Sequence, residues 1–433
     1  MIWNPEYESM TRADMETLQL RRLRSVVAWV YDRVPYYRSL LDETGVRPES
    51  VRSLQDLRRL PLTDKTTLRD TYPFGLFAVP LDQVVRIHSS SGTTGKPIVV
   101  GYTRGDINTW TELTARVVSA AGVSAADRAQ MAFGYSMFTG GFGMHYGLER
   151  VGATVIPAGA GNTERHLMMI RDFGTTVLIA TPSYALYLAE EAAKEGFDLR
   201  SSTLRVGLFG AEPSGEGMRR EIEERLGIVA TDNYGLSEVG GPGVSGECEC
   251  RCGLHIAEDH FLAEIVHPET LEPLPAGEEG ELVLTPLTKE AFPVMRYRTR
   301  DLTALEYEPC ACGRTTVRMR KVRKRTDDMM IIRGVNVFPS QIEDVLLKIE
   351  GVRPHYLIIV DRERAMDDLA IEIEVDEAFF SDSMVDLVHF TREVADRLHA
   401  VLGLHARVKL VEHGTIERTA GKSRRVVDHR AQD

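Results

Sequence analysis

Apolar and polar positions alternate along this chain in two periods, one typical of helices and the other of strands. Apolar residues recur at helical spacing over 11–31, and Pro35 then prevents the helix from continuing. From 84 to about 322, short apolar runs such as 177–180 and 204–209 end in loops of Gly, Pro and Ser, and amphipathic helical patterns follow. Apolar strands that alternate with helices predict an α/β fold with mostly parallel sheets covered by helices.

The pattern changes after a charged run over 323–328, which is typical of a linker. The residues beyond it predict a hairpin followed by a helix over 342–349, strands over 355–360 and 369–375, a helix over 384–402 and a strand over 408–411. This order predicts a small α+β domain. We therefore expect a large N-terminal domain over 1–326 and a small C-terminal lid domain over 327–433.

Net charge and the distribution of apolar residues argue against several classes of protein. The net charge of −12 over 433 residues argues against nucleic acid or an anionic membrane surface as a partner. No apolar run reaches the ~20 residues of a membrane-spanning helix. The first residues lack the basic and apolar regions of a signal peptide. These features predict a cytoplasmic protein without a membrane partner.

A loop rich in hydroxyls and glycine lies between two apolar runs predicted as strands. It consists of Ser89, Ser90, Ser91, Gly92, Thr93, Thr94, Gly95 and Lys96. Backbone N–H groups and hydroxyls can surround phosphate oxygens, and Lys96 adds a positive charge. The loop is not a Walker A motif, because its glycines are too close together and Pro97 and a strand follow the lysine. A Ser/Gly surface loop is the alternative interpretation.

The five cysteines form two short clusters, and a histidine follows the first. Soft ligands in this arrangement can form a tetrahedral zinc site, and four protein ligands would make that site structural. The predicted zinc ligands are Cys248, His255, Cys310 and Cys312. Cys250 and Cys252 are alternative ligands, and free thiols at turns are the alternative interpretation.

The segment 90–97, with the residues that flank it, resembles the phosphate loop of the phenylacetate–CoA ligase family of adenylate-forming enzymes. Segments 234–238, 297–301 and 414–422 resemble later motifs of that family in the expected order, and the resemblance covers nearly the whole chain. It implies a ligase that uses ATP and Mg²⁺ to activate an aryl-acetic acid, such as phenylacetate, as an acyl adenylate. Transfer to coenzyme A would release AMP, after release of pyrophosphate. A homodimer is also implied.

The resemblance assigns a nucleotide site around two segments. It implies that Tyr234 stacks on adenine and that Asp301 accepts hydrogen bonds from the ribose hydroxyls. Asp232 or Asn233 would pair with the exocyclic amine. The further nucleotide-binding residues implied are Gly210, Ala211, Glu212, Pro213, Gly235, Ser237 and Arg325.

The resemblance also assigns catalytic and acid-binding residues. Lys422 would bridge the substrate carboxylate and the α-phosphate, while Thr94 and Glu238 would hold Mg²⁺. Asp327 would be the hinge of the lid. The implied acid pocket consists of Tyr135, Phe138, Gly141, Ala211, Gly241 and Pro242.

Two other functions remain open at this point. One is an adenylating enzyme that transfers its acyl group to an amine or a carrier protein, since its first half-reaction would be identical. The other is a zinc-stabilised nucleotide-binding protein without turnover.

Overall fold

The computed structural model divides into two compact units. The first contains residues 1–180, 202–211 and 229–321, and the second contains 181–201, 212–228 and 322–433. The described residues are 1–89, 97–322, 324–326, 328, 330–332, 335–363, 366–375, 384–417 and 425–430.

Helices and strands alternate in the first half of the described chain, whereas strands dominate the second half. The α-helices are α1 (Pro5–Glu8), α2 (Arg12–Arg33), α3 (Pro35–Glu43), α4 (Lys65–Asp70), α5 (Arg104–Ala120), α6 (Thr139–Val151), α7 (Thr163–Asp172), α8 (Pro182–Lys194), α9 (Glu216–Leu226), α10 (Pro339–Leu346) and α11 (Met384–Leu402). The strands are β1 (Arg86–Ser89), β2 (Val99–Tyr102), β3 (Arg128–Met131), β4 (Thr154–Ile156), β5 (Val177–Ala180), β6 (Val206–Phe209), β7 (Val229–Leu236), β8 (Gly241–Glu247), β9 (Leu254–Ile256), β10 (Phe261–Val266), β11 (Gly280–Pro286), β12 (Tyr297–Thr303), β13 (Leu305–Glu306), β14 (Arg318–Met319), β15 (Lys324–Arg325), β16 (Met330–Ile332), β17 (Val335–Val337), β18 (Val352–Glu363), β19 (Met366–Val375), β20 (Arg407–Val411) and β21 (Val426–Asp428).

The N-terminal helix forms where the periodicity predicts it. Thr11 caps α2 by accepting a hydrogen bond from the Asp14 N–H, and the helix ends at Arg33. Pro35 ends this helix and also begins α3 at its first position, where a missing N–H costs nothing.

A nine-stranded sheet forms the centre of the first unit. Its strand order is β13-β14-β9-β8-β7-β6-β5-β3-β4. The strands from β4 to β7 are parallel neighbours, as the apolar runs predict. Helices α5 and α6 pack on this sheet, with a core that includes Val118, Met131, Met144, Leu148, Ile179 and Leu208.

The prediction that strands and helices alternate up to residue 322 is wrong after residue 228. From 229 to 322, all of which are described, the chain forms strands and one short 3₁₀ turn, Ser237–Val239. Apart from the parallel pairing of β7 with β6, these strands pair antiparallel with one another. In β12 buried and half-buried residues alternate strictly, which is the pattern of a strand with one face in the core. Strands β10, β11 and β12 pair antiparallel in that order.

The second unit contains the predicted α+β segment together with helices α8 and α9 from the middle of the chain. Strands β18 and β19 form a long antiparallel hairpin, and β20 and β21 add to it in parallel on opposite sides. The apolar core of this unit includes Ile342, Leu346, Ile358, Ile371, Ile373, Val394 and Leu398. Helix α11 has the predicted bounds, whereas strand β21 is an element that the sequence pattern did not predict. The exact domain boundary at 326/327 stays a prediction.

Among the described residues, no helix combines the length and apolarity needed to cross a membrane.

Candidate active site

The predicted adenine-binding residues lie around the point where the parallel pairing of two neighbouring strands ends. Strands β6 and β7 pair so that Phe209 is opposite Asp232, which places Gly210 beside Asn233. A Cβ at Gly210 would lie 2.8 Å from the Asn233 carbonyl oxygen, so no side chain fits there. The carboxyl ends of parallel strands are where sheets of this kind bind ligands.

Asn233 is fixed by its own side chain. Its amide Nδ2 donates a hydrogen bond of 2.8 Å to the Phe209 carbonyl, which orients Oδ1 as the acceptor. Ala211 follows Gly210 with a φ of +70°, a left-handed conformation that is uncommon for an alanine. Backbone strain of this kind is concentrated at ligand sites.

Tyr234 and Asp301 contact each other directly. The Tyr234 hydroxyl donates a hydrogen bond of 2.5 Å to Asp301 Oδ2, although 67 residues separate them in the chain. Asp301 is 2% exposed, and a buried carboxylate requires hydrogen-bond donors. The two residues that the resemblance assigns to adenine and ribose are therefore brought together.

Asp232 has a charged partner that the sequence analysis did not identify. Lys321 Nζ lies 2.9 Å from Asp232 and 3.8 Å from Glu247, a carboxylate that also accepts the Asp232 backbone N–H. The ion pair occupies the Asp232 carboxylate, so the geometry favours Asn233 as the group that contacts adenine. Lys321 precedes the charged run, and no local pattern distinguishes it from the other cations there.

The beginning of the predicted phosphate loop lies beside the predicted acid pocket. The Ser89 N–H donates to the Met137 carbonyl at 3.0 Å, and His88 Nδ1 contacts the same oxygen at 3.0 Å. Two residues further on, the Thr139 hydroxyl lies 3.1 Å from the Ser237 hydroxyl. Ser89, the 135–139 segment and Ser237 therefore meet on one side of the first unit.

Aromatic rings and glycines form the predicted acid pocket. Tyr135 is half-buried, packs edge-on against Phe142 and shares a hydrogen bond of 2.9 Å with His145. Phe138 is half exposed, with 50% of its surface accessible. Gly141, Gly241 and Pro242 are buried, and Gly235 is half-buried beside Pro242 in β8.

Trp110 is a pocket-supporting residue that the sequence analysis missed. Its indole N–H donates to the Pro242 carbonyl at 2.7 Å, and a Cβ at Gly241 would lie 2.7 Å from the indole ring. Gly241 also has a φ of +93°, so both space and conformation require glycine there. A tryptophan within a helical pattern gives no sign of this role before the sheet is known.

The remaining predicted residues are spread over both units, and some lie outside the described parts of the chain. Glu238 is buried. Burial raises the pKa of Tyr102, and the charges of Asp106 and Glu238 add to that shift. Glu212 and Pro213 belong to the second unit, where the Glu212 carboxylate accepts the Ser183 N–H at 2.7 Å. Arg325 lies in β15, 3.7 Å from Asp328. Predicted residues outside the described parts of the chain are Ser90, Ser91, Gly92, Thr93, Thr94, Gly95, Lys96, Asp327 and Lys422.

The four predicted zinc ligands come together. The ligand atoms of Cys248, His255, Cys310 and Cys312 all lie within 4.8 Å of one another. The sulfurs of Cys248 and Cys310 are 3.7 Å apart, and His255 Nε2 is 3.5 Å from the Cys312 sulfur. Tetrahedral zinc with ordinary bond lengths requires about 3.8 Å between two sulfurs and about 3.6 Å between sulfur and nitrogen.

The histidine of this cluster has the orientation and the protonation state that a zinc ligand requires. His255 Nδ1 contacts the Thr316 hydroxyl at 3.1 Å, which orients the ring and directs Nε2 toward the cysteines. Burial lowers the pKa of His255 to about 4, so the ring is neutral at pH 7 and Nε2 carries a lone pair. The chemistry and the spacing of the donor set therefore fit zinc.

Comparison with known proteins identifies the family. Residues 21–286 match the family model of the AMP-binding enzymes, and residues 334–430 match that of the AMP-binding enzyme C-terminal domain. The phenylacetate–coenzyme A ligase of Thermus thermophilus is 51% identical over 99% of this chain and 100% of its own length. That of Escherichia coli is 48% identical over 99% of both chains. The chain belongs to the phenylacetate–coenzyme A ligase family. It is an acid–thiol ligase that works through ATP-dependent formation of an acyl adenylate.

Solved structures agree with this family. A 2-hydroxyisobutyryl-CoA ligase in its postadenylation state, in complex with 2-HIB-AMP, has a TM-score of 0.93 and 31% identity, covering 99% of this chain and 92% of that chain. The same ligase with 2-HIB-AMP and CoA in its thioesterification state has a TM-score of 0.73 at 32% identity, with the same coverage. The predicted α/β class and the adenylate-forming fold are confirmed.

Proposed function

We propose that this member of the family activates phenylacetate, or a closely related aryl-acetic acid, and transfers the acyl group to coenzyme A. The observation that carries the proposal is the hydrogen bond between Tyr234, which follows Asn233 in β7, and Asp301 in β12. This contact brings together the Tyr234 ring, the Asp301 carboxylate, which can accept hydrogen bonds from a ribose diol, and the amide oxygen of Asn233. Such a set of groups suits a nucleoside. The aromatic residues at 135–146 suit an aryl group beside it.

Adenylation requires two anions to react, so the site must neutralise charge and align the attack. The substrate carboxylate attacks the α-phosphorus of ATP, and pyrophosphate leaves. Asp301 and Asn233 would fix the nucleoside, and the loop over 89–96 would hold the departing phosphates. The thiol of coenzyme A then attacks the acyl carbon, and AMP leaves.

Mg²⁺ is the expected partner of ATP in this reaction, and it supplies charge neutralisation at the phosphates. Glu238 and Thr94 are the residues proposed to hold it, since carboxylate and hydroxyl oxygens are hard ligands. Lys422 is proposed to bridge the two reacting anions, and Asp327 to be the hinge. These roles rest on the family resemblance.

We assign zinc to the cluster of Cys248, His255, Cys310 and Cys312 as a structural ion. The support is the agreement of the sulfur–sulfur and sulfur–nitrogen distances with tetrahedral coordination. The cluster joins the segment after β8 to the turn after β13, at 310–313. Metal analysis of the purified protein tests the assignment, and fewer than one zinc per two chains would contradict it.

A cytoplasmic location, a homodimer and the absence of nucleic-acid partners complete the proposal. None of the five cysteines, all of which lie in the described part of the chain, forms a disulfide, which is typical of a reducing compartment. The charge of −12 supports the absence of nucleic-acid partners. The homodimer rests on resemblance, and sedimentation at several concentrations tests it.

The test of the proposed function is formation of acyl-CoA across a panel of carboxylic acids. Phenylacetate should give the highest kcat/KM, with aliphatic acids of similar length at least ten times lower. Product should require ATP and coenzyme A together. Equal use of an amine or a carrier protein in place of coenzyme A would favour the alternative acceptor, and no product with any acid would overturn the proposal.

A further inference from the structure

The fifth thiol of the cysteine cluster has a position that the zinc site does not explain. Cys252 is exposed and is not one of the four residues whose ligand atoms lie within 4.8 Å of one another. Its sulfur nevertheless lies 3.6 Å from the sulfur of Cys310, which is 7% exposed and is a predicted ligand. Cys310 therefore has sulfur neighbours within the cluster, including Cys248 at 3.7 Å, and a further one outside it.

Arg318 holds Cys252 in this position. One guanidinium nitrogen, Nη1, donates to the Cys252 sulfur at 2.9 Å and to its carbonyl oxygen at 2.6 Å. The other, Nη2, donates to the Glu308 carbonyl at 3.0 Å, just before Cys310. The same side chain thus links the loop that carries Cys252 to the turn that carries Cys310.

We propose that Cys252 is an oxidation site that captures Cys310 in a disulfide and thereby opens the metal cluster. This inference rests on the proposed zinc site. A disulfide requires sulfurs about 2.05 Å apart, so the two sulfurs need to approach by only about 1.6 Å. Cys252 is the exposed residue of the pair and meets the oxidant first, and the sulfur of the buried Cys310 is already beside it.

The chemistry has two balanced steps and requires a hydroperoxide as oxidant. The Cys252 thiolate attacks a peroxide oxygen, the O–O bond breaks, and the sulfur is oxidised to sulfenic acid while hydroxide leaves. The Cys310 thiolate then attacks the sulfenic sulfur, the S–S bond forms as the S–O bond breaks, and a second hydroxide leaves. A Cys310 sulfur held in a disulfide would no longer be available to zinc, so only three of the four ligands would remain and the affinity for the ion would fall.

The experiment compares wild type with Cys252→Ser and Cys250→Ser. Cys250 is an exposed cysteine two residues away in the same loop, so its variant is the matched control. Zinc content is measured first, and each protein is then treated with hydrogen peroxide while a chromophoric chelator reports released zinc. Peptide mass mapping under non-reducing conditions identifies the linked cysteines.

Wild type and Cys250→Ser should release zinc together with a Cys252–Cys310 link, and a thiol reductant with added zinc should reverse both changes. Cys252→Ser should keep its zinc as purified and release it at least ten times more slowly. The proposal is overturned if Cys252→Ser releases zinc as fast as wild type, if it lacks zinc as purified while wild type contains it, or if mapping finds a different link. Wild type without zinc would contradict the metal assignment alone, because mapping of the 252–310 link still decides the oxidation site.

Discussion

The prediction that tests the nucleotide site most sharply concerns Asp301 and the ribose hydroxyls. If its carboxylate accepts hydrogen bonds from the diol, ATP that lacks one hydroxyl loses one charge-assisted bond. Such a bond contributes about 1.5–3 kcal/mol. Since 1.36 kcal/mol corresponds to a factor of ten, wild type should prefer ATP over 2′-deoxy-ATP or 3′-deoxy-ATP by roughly 13- to 160-fold in kcat/KM.

The variant Asp301→Asn keeps the shape of the side chain and removes its charge. The remaining amide–hydroxyl bond contributes about 0.5–1.5 kcal/mol, so the preference should fall to roughly 2- to 13-fold. Tyr234→Phe is the matched control, because it removes the 2.5 Å hydrogen bond to Asp301 and keeps the carboxylate. That variant should be less stable and should retain most of the preference for the ribose diol.

The assay is acid-dependent release of pyrophosphate with each of the three nucleotides. The acid is saturating, and coenzyme A is present. The KM for the acid should change little in Asp301→Asn. If Asp301→Asn discriminates among the nucleotides as strongly as wild type does, Asp301 does not bind the ribose, and the assignment of the site is wrong.

Three further predictions concern a buried cation, a glycine and the tail. Burial lowers the pKa of Lys289 to about 8 from 10.5, so between these pH values the unfolded chain binds more protons and the stability of the wild type rises with pH. Lys289→Met should therefore have a higher Tm than wild type at pH 7 and a smaller advantage at pH 10. A Tm advantage that grows with pH would contradict this. Gly210→Ala places a Cβ 2.8 Å from the Asn233 carbonyl oxygen. We expect the KM for ATP to rise at least tenfold, with little change in the KM for the acid. An unchanged KM for ATP would show that Asn233 does not contact the nucleotide. Lys422→Ala should lose adenylate formation by 10²-fold or more while it still converts supplied phenylacetyl adenylate to the thioester, and equal loss of both half-reactions would count against the proposed role.

The sequence predicted those parts of the fold that local patterns encode. Helix α11 has the predicted bounds because its apolar residues keep one period over its whole length. Strands β5 and β6 are short apolar runs between glycine or proline signals, and their parallel pairing follows from the helices between them. The antiparallel strands from 229 onward were missed because their pairing is set by distant partners, such as His255 with Arg318.

In the candidate site, too, local motifs predicted some residues, whereas residues that act through distant partners were missed. Motif resemblance placed Tyr234 and Asp301 in one site, and the structure brings them into contact. Lys321 and Trp110 were missed because each acts on a residue more than 80 positions away, Asp232 and Pro242 respectively. No periodicity in the local sequence reports such a contact.

The central claim is that the acid reacts at the α-phosphorus of ATP, and oxygen transfer tests it most directly. Phenylacetate labelled with heavy oxygen in its carboxylate is incubated with ATP, Mg²⁺, coenzyme A and the wild-type protein, and the products are analysed by mass spectrometry. The account predicts AMP that carries one heavy oxygen from each molecule of acid consumed. Heavy oxygen in inorganic phosphate with ADP as the nucleotide product, or unlabelled AMP, would contradict it.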